Sequence, residues 1–203
     1  MNGIWRCGIV REPSSRECPP GVLVVKVGGS LLGRDGWPAE IRELLGSVSG
    51  PRLVVVGGGP LVDGLRTIDA AAAQPTEVMH RLAIEAMGLT ARLVADCLQM
   101  PLVGEFVPGH VAAVLDPPAW LRAAERMRSL PVGWHVTSDS IAAGVAESLG
   151  GGLLLAKSAA PPCPSGDLVP LAASGWVDAW FPTAARSLAW IGWAAPATRT
   201  AGR

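Results

Sequence analysis

The chain is expected to fold as α/β, a three-layer αβα sandwich around a mainly parallel central sheet. Three observations predict it. Residues 22–27 and 52–56 are short runs rich in β-branched side chains and apolar on both faces, the pattern of strands covered from both sides. Each run stops at a glycine loop, Gly28-Gly29-Ser30 and Gly57-Gly58-Gly59-Pro60, and each loop leads into a helical pattern. The unit of strand, glycine loop and helix thus occurs twice in succession, and strands that alternate with helices pair in parallel.

Along the chain, residues 1–20 read as a polar leader, with Arg6, Arg11, Glu12, Arg16 and Glu17 among Pro and Ser. The strand at 22–27 follows. Pro38 opens a helix that carries Ile41, Leu44 and Leu45 at helical spacing. Gly50-Pro51 turns the chain into the strand at 52–56, and a helix runs from 61 to about 73. Over 76–98 the apolar positions Val78, Leu82, Ala86, Leu89, Leu93 and Cys97 recur every three or four residues, which predicts one long helix with that face inward. A strand at 111–115 leads to Pro117-Pro118, which begins a helix reaching to about 128. Residues 134–137 read as a short strand end, 138–149 as a helix and 153–156 as a strand. Residues 159–166 have loop composition, and 196–203 read as a flexible tail. One domain over 21–195 accounts for the pattern.

Composition narrows the function. Of 203 residues, 49% are hydrophobic, enough to fill a core at this length, and 17 basic side chains balance 17 acidic ones. A chain without basic excess lacks the means to displace phosphate counterions, so no nucleic-acid partner is expected. No apolar run approaches the roughly 20 residues that span a bilayer, because Lys26, Asp63, Arg92 and Lys157 interrupt the candidates. No membrane role is expected, and the absence of an apolar signal-like stretch in the leader points to the cytoplasm. Cys7, Cys18, Cys97 and Cys163 are scattered without a C-x-x-C pair, so reduced thiols and no metal site are expected.

The chemistry-bearing segments gather at strand ends. Two adjacent parallel strands that end in glycine loops present bare backbone N–H groups at the carboxyl edge of the sheet, where open α/β folds bind ligands and where anions are favoured. Lys26 and Lys157 are the only lysines among the basic residues, and both stand beside strand ends. A compact ammonium suits a moving phosphoryl group, whereas Arg suits planar clamps. Two familiar phosphate motifs are absent. Arg34 and Asp35 follow Gly33 where a Walker A loop needs Lys and Ser/Thr, and the second strand runs straight into Gly57 without the acidic residue that holds a ribose in dinucleotide-binding folds.

Four further positions carry alternatives. Arg66 is either a clamp for an anionic acceptor or an exposed helix arginine. Thr137, Ser138 and Asp139 either cap a helix and complement its dipole, or Asp139 holds one of the two lysines in an ion pair. His80 shares a helical face with Ile84, Met87 and Ala91, as a core neighbour or as part of a substrate pocket. The tryptophans near the C-terminus, Trp176, Trp180, Trp190 and Trp193, pack a core or cover a ligand or subunit interface.

In order and spacing, Lys26-x-Gly28-Gly29-Ser30, the strand ending in Gly57-Gly58-Gly59, and Thr137-Ser138-Asp139-Ser140 ahead of the strand ending at Lys157 resemble the amino acid kinase superfamily. The resemblance covers residues 22–157. Within it, the chain looks most like the kinases of methanofuran biosynthesis, which convert an (aminomethyl)furan-methyl phosphate to its diphosphate. Arg66, Asp69, His80-x-x-Ala83-Ile84-x-x-Met87, Trp134-x-Val136-Thr137-Ser138-Asp139-Ser140, and Phe181-Pro182 after Asp178 carry that likeness.

The resemblance implies an ATP- and Mg²⁺-dependent kinase of a small phosphorylated acceptor, in one-carbon metabolism. It implies Lys26, Asp139 and Lys157 as catalytic residues, and Lys26, Gly28, Gly29, Ser30 and Lys157 on the nucleotide phosphates. Gly57, Gly58, Gly59, Arg66, His80, Thr137 and Ser138 would face the acceptor. It further implies an acceptor side over about 21–130, a nucleotide side over about 131–195, and a homodimer or larger homo-oligomer. The chain departs from the family after its nucleotide-side strand, where it reads Ala156-Lys157-Ser158-Ala159-Ala160-Pro161-Pro162 and where no tyrosine exists anywhere. The C-terminal nucleotide half is therefore expected to be shortened. Two other readings stand beside this one: a kinase-fold protein that binds a phosphorylated metabolite or partner without catalysis, and a uridylate or acetylglutamate kinase.

Overall fold

The computed structural model describes residues 4–12, 21–107, 109–122, 130–163 and 166–197. Among them, seven strands form one sheet. These are β1 (Trp5–Arg11), β2 (Leu23–Val27), β3 (Arg52–Val56), β4 (Leu102–Val103), β5 (Ala112–Leu115), β6 (Gly152–Ala156) and β7 (Ile191–Pro196), in the order β1-β7-β6-β2-β3-β5-β4. All neighbours pair in parallel except β1, which runs antiparallel to β7. The fold is the αβα sandwich with a mainly parallel sheet that the alternation of strands and helices foretells.

Side-chain alternation along the central strands divides the core in two. Val24, Leu53, Val55, Leu153 and Leu155 face one layer of helices, formed by α5 (Ser138–Ser148), α6 (Leu168–Ala173) and α7 (Phe181–Ala184). Val25, Val27, Val54, Val56, Leu154 and Ala156 face the other, with α1 (Trp37–Ser47) and the C-terminal part of α3 (Thr76–Leu98). Helix α2 (Gly59–Ala71) lies beside α3, and α4 (Pro117–Arg122) follows β5. Lys26 falls on the α5 side of β2 by the same alternation, and this places a cation inside the sandwich.

Four expectations need correction. The leader is not uniformly irregular, because β1 lies within it and covers the edge of β7. Trp5 anchors this strand by donating its indole N–H to the Glu40 carbonyl at 2.9 Å. Residues 1–3 and 13–20 lie outside the described residues, as do 123–129 of the helix expected to reach about 128 and most of the expected tail. The tail's first residue, Pro196, ends β7, and Ala197 donates its N–H to the Ile4 carbonyl at 2.6 Å.

Residues 134–137 form no strand. Gly133 at φ 141° and a bond from the Val136 N–H to the Gly133 carbonyl at 3.3 Å turn the chain toward α5. The long helix α3 is as read, but its inward face is not. Leu82, Leu89 and Leu93 are exposed, while Met79, Ile84, Met87, Ala91, Val94 and Leu98 are buried. Both sets repeat at helical spacing. The small residues Gly88 and Ala91 decide the outcome by letting the helix approach its neighbours closely; a Cβ on Gly88 would stand 2.8 Å from Pro118. No helix among the described residues is long and apolar enough to cross a membrane.

Candidate active site

The carboxyl ends of β2, β3 and β6 converge on one edge of the sheet, and their loops are laced together by backbone. The Gly28 N–H donates to the Ala156 carbonyl at 2.8 Å and the Gly57 N–H to the Val27 carbonyl at 2.9 Å. The two glycine loops then touch directly. A Cβ on Gly29 would lie 2.1 Å from the Gly59 nitrogen and 2.8 Å from the Gly57 carbonyl oxygen, and Gly59 itself sits at φ 52°. Side chains are excluded here by backbone, so the costly glycines of the sequence have a structural cause.

Beneath these loops lies a buried charge cluster. Thr137 caps α5, its hydroxyl accepting the Asp139 N–H at 3.4 Å, and this starts the helix so that Asp139 points at the strand ends. Lys26 Nζ stands 2.7 Å from Asp139 Oδ1, a close buried ion pair. Lys157, immediately after β6, donates from Nζ to Asp139 Oδ2 at 2.8 Å. Asp139 thus reaches both lysines rather than one. Burial pushes its carboxyl up, but the two ammonium groups outweigh burial and hold it below the usual carboxylate value.

Burial sets the charge of Lys157 against its surroundings. Burial and then the nearby Lys26 charge push its ammonium down to about 8, against the opposing pull of Asp139 and Asp178. It also donates to the Trp176 carbonyl, and its Nζ lies 5.1 Å from the centroid of the Trp176 ring.

Two cavities open on either side of Gly29 and Ser30. The first, of about 240 Å³, is lined by Lys26, Gly28, Lys157, Ser158 and Trp176 together with those two residues. Across it, the Ser30 and Ser158 hydroxyls are 3.4 Å apart. The second, of about 220 Å³, is lined by the same two residues with Gly57, Gly58 and Gly59, by Arg66, His80 and Trp134, and by Thr137 and Ser138. Ile84, Met87, Val136 and Ile141 supply its apolar wall. Asp139 lines neither cavity and bridges the lysines from below.

In the second cavity Arg66 is half-exposed. It pairs with Asp63 at 3.0 Å, and its guanidinium carbon sits 5.1 Å from the centroid of the Trp134 ring. Trp134 is held in turn by its indole N–H, which donates to Asp69 Oδ2 at 2.8 Å. That bond, with a second from the Gln74 N–H, keeps the Asp69 carboxyl below its ordinary value. His80 is buried and accepts the Gly133 N–H on Nδ1 at 3.4 Å, an acceptor role that assigns the proton to Nε2. Burial, with the nearby His135, lowers the pKa of His80 and favours the neutral ring at pH 7.

The residues that the resemblance assigns to the site lie at one sheet edge, in a cavity wall or in the charge cluster, whereas of the C-terminal tryptophans Trp176 borders a cavity and Trp190 and Trp193 pack against the core. Sequence reasoning missed one contributor, Asp178, which meets the start of α5, and left open Trp176, whose carbonyl accepts from Lys157. Asp178 appeared in the sequence only as a marker of resemblance. Its partners are some forty residues distant, and no local pattern announces them. Among the described residues no group of three His, Cys, Asp or Glu side chains is placed to hold a metal ion, and Cys7, Cys97 and Cys163 are free thiols.

No protein-family model matches this chain, and no curated protein sequence does. Solved structures do. The uridylate kinase of Archaeoglobus fulgidus is similar with a TM-score of 0.54 at 18% identity, over 81% of this chain and 84% of that one. The UMP kinase of Ureaplasma parvum is similar with a TM-score of 0.58 at 13% identity, over 83% of this chain and 86% of that one. At such identities the likeness is one of fold, which this chain shares with both kinases.

Proposed function

We propose that the chain is an ATP-dependent phosphotransferase acting on a small acceptor that already carries a phosphate. The acceptor we assign is the (aminomethyl)furan-methyl phosphate of methanofuran-type one-carbon cofactor biosynthesis, converted to its diphosphate. The observation that carries this reading is the charge cluster beside a shared loop: Lys26 and Lys157, bridged by Asp139, border a cavity that has Gly29 and Ser30 in common with a second one.

The chemistry follows from that arrangement. Phosphoryl transfer needs little covalent help, and catalysis consists mainly of in-line positioning and neutralisation of charge. Lys26 and Lys157 supply two fixed cations where negative charge gathers, and the backbone N–H groups of the glycine loops supply donors that cost no reorganisation. On the other side, Arg66 attracts the acceptor's phosphate, the neutral His80 offers a donor, and the Trp134 ring gives a flat wall. At about 220 Å³ the cavity is smaller than the roughly 300 Å³ at which pockets for drug-sized ligands begin, which supports a small acceptor. An oxygen of the acceptor phosphate attacks the γ-phosphorus while the bond from that phosphorus to the β,γ-bridging oxygen breaks, giving a diphosphate and ADP. A phosphate is already ionised and needs no general base, and the cluster provides none.

The lysine pair fits the phosphates of ATP. Mg²⁺ supplies further charge neutralisation when bound. Asp139, its charge committed to both lysines, is not a free ligand for that ion, which suits a metal carried on the nucleotide's own phosphates.

The test is ADP release from ATP with Mg²⁺ across a panel of aminomethylfuran phosphate, UMP, acetylglutamate and carbamate. Turnover is expected with the furan phosphate, and Lys26→Met is expected to lower kcat by about 10²–10³-fold, the range for loss of one charge-stabilising group. Equal activity of variant and parent would defeat the assignment. One observation favours a second reading, binding without turnover: Lys157 already gives two of its three N–H donors to Asp139 and Trp176. Calorimetric binding of the furan phosphate with no ADP formed would establish that reading instead.

A further inference from the structure

Asp178 lies in the short connection between α6 and α7, and its carboxylate is the most heavily engaged polar group near the site. Oδ2 accepts the Thr137 N–H at 3.0 Å, the Thr137 hydroxyl at 2.8 Å and the Ser140 N–H at 3.0 Å. Oδ1 accepts the Ser140 hydroxyl at 2.5 Å and the Trp180 N–H at 3.1 Å. The first turn of a helix leaves its N–H groups without intrahelical partners, and here an anion supplied by a distant segment takes them. The residue so bracketed, between Thr137 and Ser140, is Asp139.

Two residues earlier the same segment holds the other half of the cluster. The Trp176 carbonyl accepts from Lys157, its indole N–H donates to the Ala159 carbonyl at 3.0 Å, and Val177 between them is buried. One stretch of three residues thus grips both the helix start that aims Asp139 and the lysine that Asp139 binds.

We infer that Asp178 is a positioning residue: by fixing the first turn of α5 it sets the distance from Asp139 to Lys157 and Lys26, and so the placement of both cations. This rests on the phosphotransferase reading for its effect on rate, but its structural consequence is independent of turnover. The charged groups that face Lys157 are Asp139 on α5, Lys26 on β2 and Asp178, with the Trp176 carbonyl and ring completing its surroundings. Loss of the Asp178 charge removes one of the two carboxylates that help hold the Lys157 proton, and with the burial of Lys157 kept this makes its ammonium easier to deprotonate.

The chain has two lysines, so lysine labelled with ¹³C at Cε gives two side-chain signals that report the cluster directly. In the full chain, Asp178→Asn is expected to move the Lys157 titration to lower pH and to cut kcat at least tenfold, with the KM for ATP within about threefold. Ser140→Ala keeps the Asp178 charge and removes one donor to it. It is expected to move the same signal the same way by a smaller amount, and circular dichroism should show the parent fold. Unchanged titration of Lys157 in both variants overturns the inference. Altered titration in a chain whose parent shows no transfer to any acceptor would remove the enzymatic reading and leave the positioning role standing.

Discussion

An ammonium that loses its proton near pH 8 makes the site sensitive to mildly alkaline conditions. Lys157 in the free chain is pushed down to about 8 from an ordinary 10.5, so its cationic fraction falls as pH rises through 8. Because kcat/KM reports groups in the free enzyme, kcat/KM for ATP is expected to decline above pH 8, and Lys157→Arg, which stays charged, should flatten that limb. The stability effect has the opposite slope. The unfolded chain holds this proton up to about 10.5 while the folded chain releases it near 8, so between those values unfolding binds protons and the fold gains stability as pH rises. Chemical denaturation at pH 7.5 and 9.5 checks the sign. Arg66 belongs to the acceptor side, half-exposed and paired only with Asp63 and the Trp134 ring. Arg66→Ala is expected to raise the acceptor KM about tenfold or more, the worth of a charged hydrogen bond, with the KM for ATP unchanged. An unchanged acceptor KM would remove it from the site.

At the scale of elements, what was legible follows from which forces act locally. Strands β2 and β3, their glycine loops and the extent of α3 are readable because buried parallel strands are apolar throughout and because glycine and proline punctuate them. The inward face of α3 was not, since its sequence offers two apolar stripes and only the approach of Gly88 and Ala91 to neighbouring elements chooses between them. That choice is measurable. Met87→Ala removes a buried side chain and is expected to cost about 2–5 kcal/mol, whereas the half-exposed Leu89→Ala should stay within about 0.5 kcal/mol. Strand β7, Ile191-Gly192-Trp193-Ala194-Ala195-Pro196, has one β-branched residue, and its strand character comes from β6 and β1 on either side. The site was legible wherever glycine, lysine and a helix-start carboxylate coincide with strand ends. It was illegible at Asp178, whose role exists only through contacts made by folding, and at Trp176 it was open between core packing and covering a ligand.

For the whole molecule, the antiparallel β1 closes one edge of the sheet. Removing residues 1–12 deletes this strand, uncovers the unpaired side of β7 and exposes Trp193, whose ring packs against Gly8. At about 1 kcal/mol net per backbone hydrogen bond, a loss of at least about 2 kcal/mol is expected, or about 4–8 °C in Tm, together with concentration-dependent aggregation. An unchanged Tm would mean that β1 contributes no pairing energy. At the carboxyl ends of the central strands, the two cavities share Gly29 and Ser30 in their linings. With the two cavities side by side, the proposed transfer passes directly from donor to acceptor. Both must be resident at once for a group to pass, so initial-velocity lines should intersect rather than run parallel, and labelled ADP should not exchange into ATP until the acceptor is added.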